Sequence, residues 1–163
     1  RGPELLTEVH DVSGFDCGNE ALNRFLQRYA LLNQRNQSAR TYVAMRGETR
    51  VIGYYSLAAA SAEYETVPAR IAKGLAQHPI PLTLLARLAV DRTEQVTGIG
   101  AGLLKDALKR FLQAQSIIAA RALVVHAKDE QAIEFYQHFG FVPSPLDPYH
   151  LYLMTKDIHE CLT

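Results

Sequence analysis

The sequence predicts a mixed α/β fold in which a sheet of parallel and antiparallel strands is flanked by helices. Three observations carry this. A strand–helix–strand–helix run from Leu82 to His138 implies right-handed parallel crossovers. Two β-rich runs, Thr41–Arg46 and Val51–Ala59, are separated by a Gly-Glu turn and imply an antiparallel hairpin beside that core. At 163 residues the chain has the length of one domain, spanning 1–163.

Element by element, Leu5–His10 reads as a first strand. Glu20 to Leu32 reads as a helix, because Leu22, Phe25, Leu26 and Tyr29 recur at three-and-four spacing, and Asp16 or Asn19 supplies its cap. After the hairpin, Ala69–Ala76 reads as a short helix closed by Pro79 and Pro81. Leu82–Val90 is an apolar strand interrupted by Arg87, and Ile99–Ala119 is the longest helical pattern, with Leu103, Leu104, Ala107, Leu108, Phe111 and Leu112 as its stripe. Ala122–His126 is a buried strand and Asp129–His138 a short helix with acids in its first turn; Phe141–Val142 and His150–Met154 complete the sheet.

Hydrophobic residues make up 48% of the chain and charged residues 21%, which supports a packed core and excludes general disorder. No apolar run approaches the roughly 20 residues of a membrane span, and no basic-then-apolar leader opens the chain, so a cytoplasmic protein without membrane contact is expected. Cys17 and Cys161 lack metal-ligand spacing and are expected as reduced thiols; no metal site is expected. The formal net charge is zero, yet Arg24, Arg28, Arg35, Arg40, Arg46 and Arg50 are opposed between Asn23 and Arg50 only by Glu48. That cluster suits either a polyanionic ligand or a solvated helix face.

The most informative stretch is Leu88-Ala89-Val90 followed, after a polar loop, by Gln95-Val96-Thr97-Gly98-Ile99-Gly100-Ala101. A buried strand runs out, and a glycine-punctuated turn opens a long helix. Amides at a helix start have no intrahelical acceptor, and glycines let a phosphate oxygen approach them. The glycine spacing fits neither the dinucleotide fingerprint nor the nucleotide-triphosphate loop. It fits Q-x-x-G-x-G, and so resembles the acetyl-CoA motif of the GNAT (Gcn5-related) N-acetyltransferases. Two positions depart from the family pattern: Val96 stands where Gly is common and Thr97 where Arg or Lys is common. The departures bear on the strength of the pyrophosphate grip, with Arg92 or Lys105 as compensating cations.

Ala132-Ile133-Glu134-Phe135-Tyr136-Gln137-His138-Phe139-Gly140-Phe141 is similar to the family's A-x-x-F-Y-x-x-x-G-F segment. The resemblance implies coenzyme A held by Leu88, Ala89, Val90 and the turn from Gln95 through Val96, Thr97, Gly98, Ile99 and Gly100 to Ala101. It implies an oxyanion-stabilising N–H near Val90, and a bulge in that strand that splays it from the next. It makes Tyr136 the proton donor to the departing thiolate, a phenol being matched in acidity to an alkyl thiol. Ala132 and Phe135 are expected to pack on the sheet and leave Tyr136 facing the cofactor, while Tyr29, Tyr42, Tyr54, Tyr55 and Tyr152 read as packing tyrosines. His126 is a candidate base for the incoming amine by its place on the partner strand, although a satisfied core histidine is the commoner arrangement there.

Short strings along nearly the whole chain resemble a bacterial GNAT subgroup, the toxins that acetylate the amino group of aminoacyl-tRNA. They include Phe15–Leu22, Ala39–Val43, Gly53–Ala58, Pro79–Pro81, Leu85–Asp91 and Val125–Ala127. This implies aminoacyl-tRNA as substrate and a ribbon-helix-helix antitoxin as partner, and leaves a homodimer open. Arg24, Arg28, Arg35 and Arg40 are then candidates to neutralise RNA phosphates. Arg87, within an apolar strand, reads as half of a buried ion pair, with contact to substrate phosphate as the alternative. The rival activities are acetylation of a small amine or a protein N-terminus and, from another class, a non-catalytic acyl-CoA-binding module.

Overall fold

The computed structural model describes residues 2–76 and 78–162; the side chains of His159 and Cys161 lie outside the described residues. The first strand, β1, is only Glu4–Leu5, shorter than expected. His10 is the reason: its Nδ1 accepts the Thr7 N–H at 2.9 Å and its Nε2 lies 3.3 Å from the Glu4 carboxylate, so the chain folds back where the strand was to continue.

The expected first helix has three abutting pieces, α1 (Glu20–Arg24), a π-helical turn (Phe25–Tyr29) and α2 (Ala30–Arg35). Asn19 caps it, its side chain accepting from the Leu22 N–H. Just before the π-helical turn the Tyr54 hydroxyl donates to the Leu22 carbonyl at 2.7 Å, which also accepts the Phe25 N–H. The hairpin is β2 (Arg40–Arg46) and β3 (Arg50–Ala62), paired antiparallel, with a register shift between Ala44 and Met45. There follow α3 (Ala69–Ala72), β4 (Ile80–Val90), α4 (Ile99–Ala114), β5 (Ala122–His126), α5 (Glu130–His138), β6 (Val142–Pro143), β7 (His150–Met154) and α6 (Thr155–Leu162). Helix α4 stops at Ala114, short of Ala119. Ile117 and Ile118 are exposed, and the Gln115 side chain accepts from the Ala120 N–H and turns the chain. Helix α5 is capped by Asp129, and Gly140 follows it at φ +95°, as a glycine closing a helix should. The final helix α6 was not legible in the sequence pattern; Ile158 is its buried anchor.

The strands hydrogen-bond in the order β1-β2-β3-β4-β5-β7-β6, a mixed seven-stranded sheet. The chain divides into two compact units, one of residues up to Ala58 with Ala86–Ala107, the other of Ala59–Leu85 with Leu108 onward. The first has a core of Leu6, Phe15, Phe25, Leu26, Val43, Val51, Tyr54 and Ala89. The second is built on Val67, Ile71, Ile80, Leu82, Ala122, Val124 and Tyr152. Within the second unit β4 and β5 run parallel, Leu82–Leu85 against Ala122–Val125, and β5 pairs antiparallel with β7 so that His126 stands opposite His150. No helix among the described residues is long and apolar enough to cross a membrane.

Candidate active site

In the first unit, β4 ends at Val90 and the chain enters a loop organised by Asp91. Its carboxylate is buried and accepts the Thr93 N–H (3.0 Å), the Thr93 hydroxyl (2.8 Å) and the Asp16 N–H (3.1 Å). Burial opposes the negative charge, but the N–H groups of Thr93 and Asp16 outweigh it and hold the carboxyl below its ordinary range. After the tight turn Arg92–Glu94, the Gln95 side-chain amide donates to the Cys17 carbonyl (3.0 Å) and to the Val90 carbonyl (2.9 Å). Gln95 therefore staples the turn to the strand end. The Thr97 hydroxyl and N–H both return to the Glu94 carbonyl, at 2.6 and 3.3 Å. Val96 is 98% exposed.

Gly98 sits at φ +83°, a conformation other residues reach only with strain, and sets the direction of α4. The Gly102 N–H makes a bond of 3.1 Å to the Gly98 carbonyl, so the amides of Ile99, Gly100 and Ala101 precede every intrahelical acceptor. A side chain on Gly100 would meet only Val90 Cγ2, at 3.7 Å. The residues expected to hold the cofactor thus separate by kind. Ile99, Gly100 and Ala101 offer open amides; Gln95 and Thr97 have side chains spent on the loop itself; Ala89 belongs to the core, with Leu88 and Val90 half-buried beside it. Open amides at the positive end of a 16-residue helix suit a diphosphate. Of the two compensating cations, Arg92 lies 3.5 Å from Asp16 and Lys105 is exposed on α4.

In the second unit, Tyr136 is the buried residue of α5, 7% exposed, while Ala132 and Phe135, expected to pack on the sheet, are half-buried. Its ring packs edge-on against Phe135 and Phe141, centroids 5.2 and 5.4 Å away. Among the described residues none hydrogen-bonds the Tyr136 hydroxyl. Burial pushes this phenol above its ordinary value, so it carries its proton throughout the physiological range. The packing tyrosines are as expected at Tyr54, Tyr55 and Tyr152, and Tyr42 stacks on Tyr55. Tyr29 departs, at 46% exposed.

His126 is exposed, not a satisfied core histidine. It stacks on His150, centroids 4.1 Å apart, and the two rings line a cavity of about 310 Å³ with Thr66, Leu84, Val124 and Tyr152. His150 Nε2 lies 3.5 Å from the Asp147 carboxylate. The cavity edge is braced where the Ser144 hydroxyl donates to the Thr66 carbonyl. Partial burial and the neighbouring His150 hold His126 below the ordinary imidazole value, with Asp147 pulling the other way. The sequence reading missed His150; antiparallel pairing of the last two long strands places it opposite His126 and is the signal that finds it.

The arginines fall into three groups. Arg87 is half-buried and stacks over the Phe25 ring, its Cζ 3.6 Å from the centroid; the expected buried ion pair is replaced by a cation–π contact, because an aromatic face and not a carboxylate lies beside it. Arg35 pairs with Glu8 on the surface and Arg46 with Glu94. Arg24, Arg28 and Arg40 are exposed with no ion pair among the described residues.

Residues 37–143 match the family model for the acetyltransferase (GNAT) domain. This chain belongs to the GNAT acetyltransferase family. It is 41% identical over 155 residues to the tRNA-acetylating toxin of Mycobacterium tuberculosis, which covers 95% of this chain and 92% of that protein. Its structure is similar to that of AtaT complexed with acetyl-methionyl-tRNAfMet, with a TM-score of 0.90, 34% identity, and 99% of this chain and 98% of that one covered. It is also similar to a tyrosine-to-phenylalanine mutant of AtaT bound to the C-terminus of the antitoxin AtaR and acetyl-CoA, with a TM-score of 0.81, 34% identity, and 97% and 95% covered.

Proposed function

We propose that this chain is a single-domain, cytoplasmic toxin that transfers acetyl from acetyl-CoA to the amino group of an aminoacyl-tRNA and so arrests translation. Its neutralising partner on this reading is a DNA-binding antitoxin of the ribbon-helix-helix type. The observation that carries the reading is the likeness to a tRNA-acetylating toxin across 95% of the chain. Exposed Arg24, Arg28 and Arg40 supply the unpaired positive charge that an RNA backbone requires.

When bound, acetyl-CoA supplies an acetyl group activated as a thioester. The chain's own part begins with the amides of Ile99, Gly100 and Ala101, which hold phosphate oxygens without a metal. Tyr136 keeps its proton until a stronger base appears beside it, and then gives it to the leaving sulfur. Edge-on packing by Phe135 and Phe141 fixes the orientation of the ring.

Incubation with labelled acetyl-CoA and total charged tRNA tests the proposal. Label is expected on the amino acid of the charged tRNA, and Tyr136→Phe is expected to cut the rate by about 10²-fold while acetyl-CoA still binds. Because none of the described residues bonds the hydroxyl, the melting temperature should hardly move. Label appearing only on small amines or protein N-termini sinks the tRNA reading. Undiminished turnover by Tyr136→Phe removes the phenol from its role.

A further inference from the structure

We infer that the cavity bordered by the stacked His126 and His150 rings receives the amino group to be acetylated, and that His126 removes its proton; this rests on the function proposed above. At about 310 Å³ the cavity sits at the small end of ligand pockets, sized for one amino-acid residue and not for a nucleotide. Its walls are apolar at Leu82, Leu84 and Val124, and Ser61, Thr66, His126, His150 and Tyr152 give it polar groups.

The chemistry calls for a base. An α-amino group has a pKa of about 8, so much of it is ammonium at neutral pH and has no lone pair to offer. His126 meets the need in three ways. Its ring is exposed where it borders the cavity, so a ligand can reach it. None of the described residues hydrogen-bonds its nitrogens, whereas His150 is engaged by Asp147. Partial burial and His150 hold it neutral, ready to accept a proton, and Asp147 stands near enough to compensate the imidazolium once formed. The titratable groups facing it are His150 and Tyr152 from β7 and Asp147 from the preceding loop; β3 and β4 contribute only Ala60, Ser61, Ala62, Leu82 and Leu84.

The protons and electrons balance. His126 takes one proton from the ammonium; the freed nitrogen pair forms the C–N bond, and the C–S bond breaks with its pair left on sulfur. The amide nitrogen gives up its second proton to water, Tyr136 protonates the sulfur, and His126 and Tyr136 return to their starting forms by exchange with water. His150 touches no reacting atom on this account and is a positioning residue.

Two measurements test the inference. His126→Gln is expected to bind acetyl-CoA normally and to lose about 10²-fold in kcat/KM on charged tRNA at neutral pH, with the loss shrinking at alkaline pH, where the amine deprotonates unaided. In the wild-type chain the rate should climb with pH through a group titrating below the ordinary imidazole value. His150→Gln removes the second of the two influences that lower His126 and leaves the larger one, partial burial, so that limb should move modestly to higher pH. The second measurement needs no turnover: methionine methyl ester titrated into the wild-type chain should shift the NMR signals of both rings, and Tyr136→Phe should leave those shifts unchanged. The inference is overturned by a His126→Gln chain that matches the wild type across the pH range, or by an ester that leaves both rings unmoved. Were the wild type to leave charged tRNA unacetylated, the proposed function would fall, while the ester titration would still decide the pocket. A misfolded His126→Gln leaves the wild-type pH profile and the titration to decide.

Discussion

The turn from Asp91 to Ala101 and the cavity edge of His126 and His150 are candidate sites made from different materials. The turn offers main-chain N–H groups, shaped by contacts within a few residues, Asp91 to Thr93, Thr97 to Glu94 and Gln95 to Val90, and anchored to the distant segment at Asp16 and Cys17. The cavity edge offers side chains that only strand pairing brings together, His126 from β5 and His150 from β7, 24 positions apart in the chain. A site of amides tolerates most side-chain changes and fails when something intrudes on it. A site of side chains fails when a single group is removed.

The sharpest way to break that contrast is intrusion. Gly100→Asp puts a carboxylate among the amides proposed to hold phosphate. Two like charges about 4 Å apart repel by roughly 4 kcal/mol at a protein surface. Acetyl-CoA affinity should therefore fall by at least about 10²-fold. The fold should not suffer: a carboxylate in the first turn of a helix stabilises it by about 0.3–1 kcal/mol, and the nearest atom to the new Cβ is 3.7 Å away. Calorimetry beside a melting curve checks both halves. Affinity lost together with stability would mean that the variant had unfolded the turn and not competed with phosphate. Intact affinity would remove the amides from cofactor binding.

Gln95 sharpens the contrast more gently. Its amide serves the loop, so Gln95→Ala should remove two hydrogen bonds and cost about 1–2 kcal/mol of stability, with a lesser loss of cofactor affinity through a loosened turn. Thermal melting reads the first and calorimetry the second. A large affinity loss at unchanged stability would return Gln95 to direct contact with ligand.

The same difference explains what was legible in the sequence. The glycine spacing around residues 98–100 and the capped helices reflect short-range rules, and a string exposes such rules. Strands β5 and β7 were placed to the residue because their apolar runs are buried and sharply bounded. Strand β1 was overrun because a histidine three residues away in the chain closes a turn, which no hydropathy pattern reveals. Helix α6 was missed because its single buried anchor, Ile158, leaves little periodicity to read. Arg87 was misjudged because an arginine in an apolar strand implies a partner but not its type; Phe25 lies 62 residues earlier in the chain. The His126–His150 pair needed register, which follows from topology and not from either strand alone.

The smallest expected effects divide the arginines. Arg87 lies with its guanidinium over Phe25, so Arg87→Met keeps the apolar reach and loses the cation–π contact, a cost of about 0.5–2 kcal/mol in stability. On this geometry its charge is spent within the fold, and the salt dependence of tRNA binding should not change. Arg28 is exposed, with no ion pair among the described residues, so Arg28→Ala should leave stability within about 0.5 kcal/mol. If it neutralises a phosphate, its loss should weaken tRNA binding for every amino acid alike and lower the slope of log K against log salt by about one. Binding titrations at several salt concentrations, run beside melting curves, read both. If Arg87→Met flattens the salt slope while Arg28→Ala does not, the two residues must exchange roles, and the RNA path would follow the end of β4 in place of the helix surface.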